Sequence, residues 1–228
     1  MREIVLDTET TGLDPAQGDR IVEIGCVELE NHMPTGRTFQ EYLNPERLMG
    51  EDVIKIHGIT NEFVQDKPKF REVADRFLDF IGTDAKLVIH NAAFDIRFLN
   101  AELTACGREP ISDDRVIDTL IIARRKFPGS RVNLNDLCKR FNVDASARTV
   151  HGALLDSELL AEVYLELMGG REPGLVLQTV NSSSRTDKPV VVDTSYHEPR
   201  SFPPSPDELE AHQAFLTKIP DAVWNTEE

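Results

Sequence analysis

Acidic residues at three places in the chain, and one histidine, are the side chains whose types and spacing could support catalysis. Asp7 and Glu9 stand two residues apart, directly after the apolar run at residues 4–6. Residues i and i+2 of a β-strand project to the same face, so these carboxylates are predicted to point together at a strand end. Such a pair is costly without a cation between the carboxylates, although similar pairs also occur on solvated strand faces.

The other acidic positions lie near the beginnings of two predicted helices. Asp95 falls in the first turn or two of a helix after a buried strand, where an aspartate can also serve only as a partner of the helix dipole. Asp156 interrupts an otherwise apolar helix, which suggests a groove above the sheet. His151 precedes Asp156 by about 140° on an ideal helix, so the two side chains converge only if His151 lies in the entering loop or the first turn.

Four carboxylates and a histidine in these contexts match one chemistry. Two divalent cations roughly 3.5–4 Å apart can activate a water molecule and stabilise the leaving oxygen of a phosphodiester displacement. A site made of carboxylate oxygens suits hard cations. The predicted cofactors are therefore two divalent metal ions, Mg²⁺ or Mn²⁺.

The pattern of apolar residues predicts the elements that must position these groups. Runs rich in β-branched and aromatic residues predict three consecutive strands joined as hairpins, at residues 4–6, 20–30 and 36–43. An apolar stripe then predicts a helix over residues 69–82. Further strands at residues 86–90 and 115–119 alternate with helices, which end at Gly107 and near Gly170. This order indicates an α/β fold in which helices flank a mixed sheet.

Composition restricts the class of protein. The chain has 228 residues, 40% of them hydrophobic, which allows one packed domain plus an appendage. A formal net charge of −15 argues against a protein that holds nucleic acid on a broad basic surface. Cys26, Cys106 and Cys138 are odd in number and widely spaced, which indicates core thiols in a reducing compartment. No signal peptide or membrane span is predicted, and a cytoplasmic location is expected.

The composition changes after Gly170. Residues 171–228 hold 7 of the 13 prolines and the polar run NSSSRTD, which predicts that most of this stretch is a flexible linker. The segment PDELEAHQAFLTKIPDAVW combines apolar and helix-forming residues. A helix this short is marginal in water, so we expect it to fold on a partner, and packing on its own domain is the alternative. The predicted divisions are a catalytic domain at 1–170, a linker at 171–206 and a docking segment at 207–228.

Three short motifs contain the acidic residues and the histidine: DTETTG at 7–12, HNAAFD at 90–95 and HGALLD at 151–156. In this order and spacing they resemble the motifs of the DEDDh exonucleases in the ribonuclease-H-like superfamily, and more narrowly those of the DnaQ-like group. The likeness extends over residues 2–170 and includes VIKIHGIT at 53–60. It implies a mixed five-stranded sheet and a metal-dependent 3′→5′ exonuclease that proofreads for a bacterial replicative DNA polymerase.

The resemblance also implies roles for the matching residues. The implied metal ligands are Asp7, Glu9, Asp95 and Asp156. His151 would be the general base, a task that suits histidine because this side chain titrates near neutral pH. The metal ligands Asp7, Glu9 and Asp156, together with His151, would also contact the substrate.

A second group of residues is implied to contact the nucleotide at a single-stranded 3′ end of DNA. His57, with Asp52 upstream, would line the pocket for the terminal nucleotide; a turn residue before Gly58 is the alternative for His57. The remaining implied contacts are Thr8, Thr10, Asn91 and Phe94. Plain packing of a helix on the sheet is the alternative for Phe94.

The resemblance also implies partners for residues 171–228. The C-terminal segment is similar to the one by which the family docks on the polymerase catalytic (alpha) subunit. The stretch from Glu172 to Leu177 resembles a short peptide that binds the sliding clamp, but it lacks the leading glutamine, so only weak clamp binding is expected. A small accessory subunit is a further possible partner. The alternatives are an RNA 3′-end exonuclease of the ribonuclease T or oligoribonuclease type, and a non-catalytic subunit that stabilises the polymerase.

Overall fold

A computed structural model of the chain describes residues 1–146, 148, 150–170 and 203–219. The chain divides into two compact units, Met1–Leu177 and Gln178–Glu228. Most of the predicted linker, the stretch from Glu172 to Leu177 and the last nine residues of the docking segment lie outside the described residues.

The first unit is built on a five-stranded sheet in the order β3-β2-β1-β4-β5. Its strands are β1 Arg2–Thr10, β2 Ile21–Glu30, β3 Met33–Tyr42, β4 Lys86–Ile89 and β5 Val116–Asp118. The first three strands pair antiparallel as hairpins, whereas β4 and β5 add in the parallel sense. The predicted mixed five-stranded sheet flanked by helices is confirmed.

Seven helices of the first unit surround this sheet in the described residues. They are α1 Glu51–His57, α2 Asn61–Val64, α3 Phe70–Ile81, α4 Ala92–Ala105, α5 Thr119–Lys126, α6 Leu134–Phe141 and α7 Ala153–Leu167. Short 3₁₀ turns lie at Pro15–Gln17 and Asp113–Arg115. The helices predicted around residues 69–82 and up to Gly107 are therefore present within a residue or two of their predicted ends.

The alternation of β1 side chains divides the core into two layers. Ile4 and Leu6 face α3 and α4, where they join the apolar stripe of α3. Val5 points to the opposite face and packs with Leu160 and Tyr164 of α7. Because both faces are covered by helices, β1 is apolar on both sides from Ile4 to Leu6, just before Asp7.

The cysteines are free thiols. Cys26 and Cys138 are buried as predicted, but Cys106 is only half-buried. The prediction of a core thiol is wrong for Cys106, because this residue caps the C-terminus of α4 near the surface. No helix within the described residues is long and apolar enough to span a membrane.

The second unit contains one described helix, α8 Pro206–Leu216. Ser205 and Glu208 form a capping box at its start: the Ser205 hydroxyl accepts the Glu208 N–H, and the Glu208 carboxylate accepts the Ser205 N–H. Leu209 and Phe215 on this helix are exposed to solvent. The helix begins one residue before the predicted docking segment.

Candidate active site

Strand β1 carries Asp7 and Glu9 on one face, two residues apart. Both residues were expected after the strand, but β1 continues to pair with β2 as far as Thr10. On its other side β1 pairs with β4 only from Glu3 to Val5. The second half of β1 therefore has a strand on one side only, and its other side is open to the helices that follow.

Helix α4 brings Asp95 to this opening. The left-handed backbone of Asn91 (φ 68°) turns the chain from β4 into α4, and the carboxylate of Asp118 accepts the N–H groups of Asn91 and Ala92 at 3.2 Å each. Asp95 is buried, and its Oδ1 accepts hydrogen bonds from the N–H (3.0 Å) and hydroxyl (2.7 Å) of Thr8. Thr8 thus joins the middle of β1 to the first turn of α4.

Helix α7 brings Asp156 to the same place because its first turn lies directly on β2. A Cβ atom on Gly25 would lie 2.2 Å from the backbone of Ala153, so only glycine permits this approach. The Gly25 carbonyl accepts the Ser157 hydroxyl at 2.9 Å, and the buried Glu23 carboxylate accepts the Ala153 N–H at 3.1 Å. An acidic group at a helix N-terminus is also stabilised by the helix dipole.

His151 lies in the loop that enters α7, as its convergence with Asp156 requires. Its N–H donates to the carbonyl of Ile56 at the end of α1, at 3.1 Å, which ties the loop to that helix. The imidazole is about half exposed, and its Nδ1 lies 3.3 Å from Asp156 Oδ2. Ligand atoms of Glu9, His151 and Asp156 all lie within 4.8 Å of one another and could hold a metal ion.

The crowded carboxylates resist ionisation. Burial, and then repulsion from Asp95, Glu9 and Asp156, holds the pKa of Asp7 well above its ordinary value. Burial, and then repulsion from Asp156, raises the pKa of Glu9 to about 8. Burial raises the pKa of Asp95 to about 7, against the opposing effect of its hydrogen bonds from Thr8. A cluster of carboxylates this crowded is suited to divalent cations, which favour their ionised forms.

Two further residues of the site, Arg148 and Glu23, were not predicted from the sequence. The Arg148 guanidinium donates to both carboxylate oxygens of Asp156, at 2.5 and 2.6 Å. Glu23 lies opposite Glu9 in the β1–β2 register, and its buried side chain adds a fifth carboxylate beside the site. Arg148 could have been predicted, because a basic residue just before the third motif is a suitable counterion for the predicted acidic site. No comparable feature of the sequence pointed to Glu23.

A cavity of about 250 Å³ joins most of these groups. Its lining residues are Asp7, Thr8, Glu9, His90, Asn133, Leu134, Asn135, Arg148, His151 and Asp156. The segment before the third motif thus contributes to the site through the start of α6.

His57 is buried at the end of α1 and close enough to His151 for their charges to interact. Its Nδ1 accepts the Ile59 N–H at 3.0 Å, and Gly58 adopts a left-handed conformation, so His57 does serve the turn. Its Nε2 is buried without a hydrogen-bond partner in the described part of the chain. Burial, and then repulsion from His151, lowers the pKa of His57, which favours the neutral ring.

The structure does not bring every predicted substrate contact to the cavity. Asp52 is fully exposed and pairs with Lys55 on its own helix, away from the cavity lining. Thr10 is buried, and its hydroxyl donates to the Gly12 carbonyl. Phe94 is half-buried and packs against Phe98, with ring centroids 5.0 Å apart, which supports the helix-packing alternative. Asn91 is exposed at the start of α4.

Comparison with known proteins agrees with this geometry. The family model described as Exonuclease (RNase_T) matches residues 4–164. A DNA polymerase III subunit epsilon from Rickettsia felis is 50% identical over 232 residues, which cover 96% of this chain and 97% of that protein. The subunit of the same name from Escherichia coli is 50% identical over 177 residues, covering 75% of this chain and 72% of the relative.

Solved structures share the fold. Exonuclease X in complex with 5′ overhanging duplex DNA superposes with a TM-score of 0.57 and 28% identity, over 72% of this chain and 90% of that one. The nuclease domain of 3′hExo, described as a DEDDh family member bound to rAMP, gives a TM-score of 0.62 at 23% identity over 73% of this chain and 91% of that one. The length of the family match and the identity to full-length relatives together show that this chain belongs to the exonuclease family and, within it, to the epsilon subunits of DNA polymerase III.

Proposed function

We propose that this protein is the proofreading 3′→5′ exonuclease of a replicative DNA polymerase III, removing mispaired nucleotides from single-stranded 3′ ends of DNA. The observation that carries the proposal is that Asp7, Glu9, Asp156 and His151 line a single cavity, next to Asp95, which is hydrogen-bonded to the lining residue Thr8. The relatives that are 50% identical are epsilon subunits of that polymerase, which supports the biological role.

The proposed metal ligands are Asp7, Glu9, Asp95 and Asp156. Two divalent cations, Mg²⁺ or Mn²⁺, would supply an activated water and stabilise the leaving oxygen. The protein's own contribution is to hold the carboxylates in place. Thr8 donates hydrogen bonds to Asp95, and the packing of α7 directly on Gly25 positions Asp156. The elevated pKa values of Glu9 and Asp95 imply that these groups lose protons when cations bind.

His151 is the proposed general base. Its Nδ1 faces Asp156, and a carboxylate in that position orients an imidazole so that Nε2 can accept a proton from water. The half-exposed position of the ring suits a group that must reach a water molecule beside the substrate.

His57 is the strongest of the other proposed substrate contacts, because its buried Nε2 has a hydrogen-bonding capacity that the described residues leave unused. A nucleotide bound beside His151 could satisfy that atom. Thr8 and Thr10 already use their hydroxyl groups within the protein, so we assign Thr8 to the positioning of Asp95. Asp52 is fully exposed at the start of α1 and lies outside the set of residues that line the cavity.

The proposed partners follow from the role. DNA and the polymerase alpha subunit are the principal ones, and the exposed Leu209 and Phe215 of α8 offer apolar side chains for docking. Weak clamp binding through Glu172 to Leu177 and binding of an accessory subunit stay predictions. Replication would place the protein in the bacterial cytoplasm.

The testing experiment measures release of mononucleotides from 3′-labelled single-stranded DNA, mismatched-end duplex DNA and RNA, with Mg²⁺, Mn²⁺ or chelator. Asp7→Ala should abolish metal-dependent release, whereas Asp79→Ala, which removes an exposed carboxylate on α3, should not. His151→Ala should slow hydrolysis by about 10²–10⁴-fold, as expected for loss of a general base. Preference for RNA would favour the RNA-processing alternative, and inactivity on every substrate would favour the non-catalytic subunit.

A further inference from the structure

Arg148 makes the most complete set of polar contacts of any side chain in the candidate active site. Its Nε and Nη2 donate to Oδ1 and Oδ2 of Asp156 at 2.5 and 2.6 Å, a bidentate ion pair. Its Nη1 donates to Oδ1 of Asn135 at 2.6 Å, and its Nη2 also lies 2.9 Å from Nδ1 of His151. Only 8% of the Arg148 side chain is exposed, so this arrangement is enclosed by the site.

The negative charge around the cavity explains why a positively charged side chain is held there. Among the described residues that line the cavity, Arg148 is the one lysine or arginine, and it faces the carboxylates of Asp7, Glu9 and Asp156. A buried carboxylate without a counterion is strongly unfavourable, and a guanidinium stays charged at every relevant pH. Arg148 therefore supplies positive charge at the position where a metal ligand would otherwise stand unpaired.

The same contacts hinder both metal binding by Asp156 and the orientation of His151 by that carboxylate. Both oxygens of Asp156 are engaged by the guanidinium, so a cation that uses this carboxylate must compete with Arg148. A guanidinium can only donate hydrogen bonds, so Nδ1 of His151 must accept the bond from Nη2 while that contact lasts. Nδ1 then cannot donate to Oδ2 of Asp156, although the two atoms are 3.3 Å apart.

We propose that Arg148 is a resident counterion of Asp156 that competes with the divalent cation for this carboxylate and thereby sets the metal affinity of the site. The inference rests on the proposed function, since it takes Asp156 as a metal ligand. In this role Arg148 is a positioning residue: it keeps the acidic site assembled before a cation binds, and its departure frees both Asp156 and His151.

Isothermal titration of the full chain with Mn²⁺ alone, after removal of bound metal by chelator and dialysis, tests the proposal without reference to activity. Arg148→Gln keeps a hydrogen-bonding side chain but removes the charge, and it should bind Mn²⁺ at least about tenfold more tightly than the wild type. Asn135→Ala removes the Nη1 anchor without touching Asp156, and it should tighten binding by a smaller factor, about threefold. Arg125→Gln, a charge change at an exposed position of α5, is the matched control and should leave the affinity unchanged.

Each outcome separates the competing explanations. Unchanged or weaker Mn²⁺ binding in both Arg148→Gln and Asn135→Ala, with normal binding by the wild type, would overturn the competition while leaving the metal site intact. If Arg148→Gln does not fold, Asn135→Ala alone decides between tighter and unchanged binding. An absence of Mn²⁺ binding in the wild type and in every variant would refute the metal site of the proposed function, and the competition with it.

Discussion

Replacing Glu9 by glutamine is expected to stabilise the chelated protein at pH 8 while abolishing its nuclease activity. The expectation follows from the position of Glu9 on β1, where it is 8% exposed and surrounded by the carboxylates of Asp156, Glu23 and Asp95. In the absence of cations, the ionised form of Glu9 is disfavoured by both burial and repulsion. Glutamine has nearly the same shape and carries no charge.

The magnitude comes from linkage between protonation and folding. Raising the pKa from 4.5 to about 8 corresponds to an upper limit of about 5 kcal/mol. Between these values the folded state retains a proton that the unfolded state has lost, so the free energy of unfolding falls as pH rises from 4.5 to 8. The slope is about 1.4 kcal/mol per pH unit for one proton. Water in the open cavity screens the charge, so we expect Glu9→Gln to gain about 2 kcal/mol at pH 8.

Urea denaturation at pH 5, 6, 7 and 8, with chelator and separately with Mn²⁺, provides the assay. In chelator the wild type should lose stability toward pH 8, and Glu9→Gln should lose less. With Mn²⁺ the wild type should regain stability at pH 8, because the cation favours the ionised carboxylates, and the variant should regain less. Glu158→Gln, on the exposed side of α7, is the control. Equal pH slopes for wild type and Glu9→Gln in chelator would refute the reasoning.

Two further perturbations test how the fold positions the site. Gly25→Ala should destabilise the protein by about 3 kcal/mol and reduce its activity, because the added Cβ would lie 2.2 Å from the α7 backbone. Gly50→Ala is the control, since its Cβ would meet open space, and it should cost less than about 1 kcal/mol. Equal losses of stability in thermal unfolding of the two variants would contradict this reasoning. Arg20→Ala should lower the free energy of unfolding by about 3 kcal/mol, because it leaves the buried carboxylate of Glu102 without its ion-pair partner. Arg108→Ala removes a similar bidentate pair at the surface and should lower it by less than about 1 kcal/mol. Similar losses for the two variants in urea denaturation would show that burial does not govern the strength of these pairs.

Local patterns were sufficient to predict most of the fold. The hairpins, the helix over Phe70–Ile81 and the alternation of later strands and helices each follow from periodicities within a few residues. The shared face of Asp7 and Glu9 is likewise a local property of a strand. The end of β1 was predicted too early, because the strand continues through polar residues to Thr10 for as long as β2 supplies backbone partners. Cys106 was misplaced because its burial depends on where α4 ends.

The sequence by itself determined which chemistry the chain could perform, since the order and types of the acidic residues and His151 are written in three short motifs. Only the tertiary structure decided how that chemistry is supported. Thr8 bonds to Asp95 across 87 positions of the chain, and Glu23 caps α7 across 130. The pairing of Arg148 with Asp156 likewise depends on where the loop and α7 come to lie. Such contacts are absent from local periodicity because they arise only when the packing of the sheet and helices brings distant backbone and charges within hydrogen-bonding distance, where burial makes each unpaired group costly.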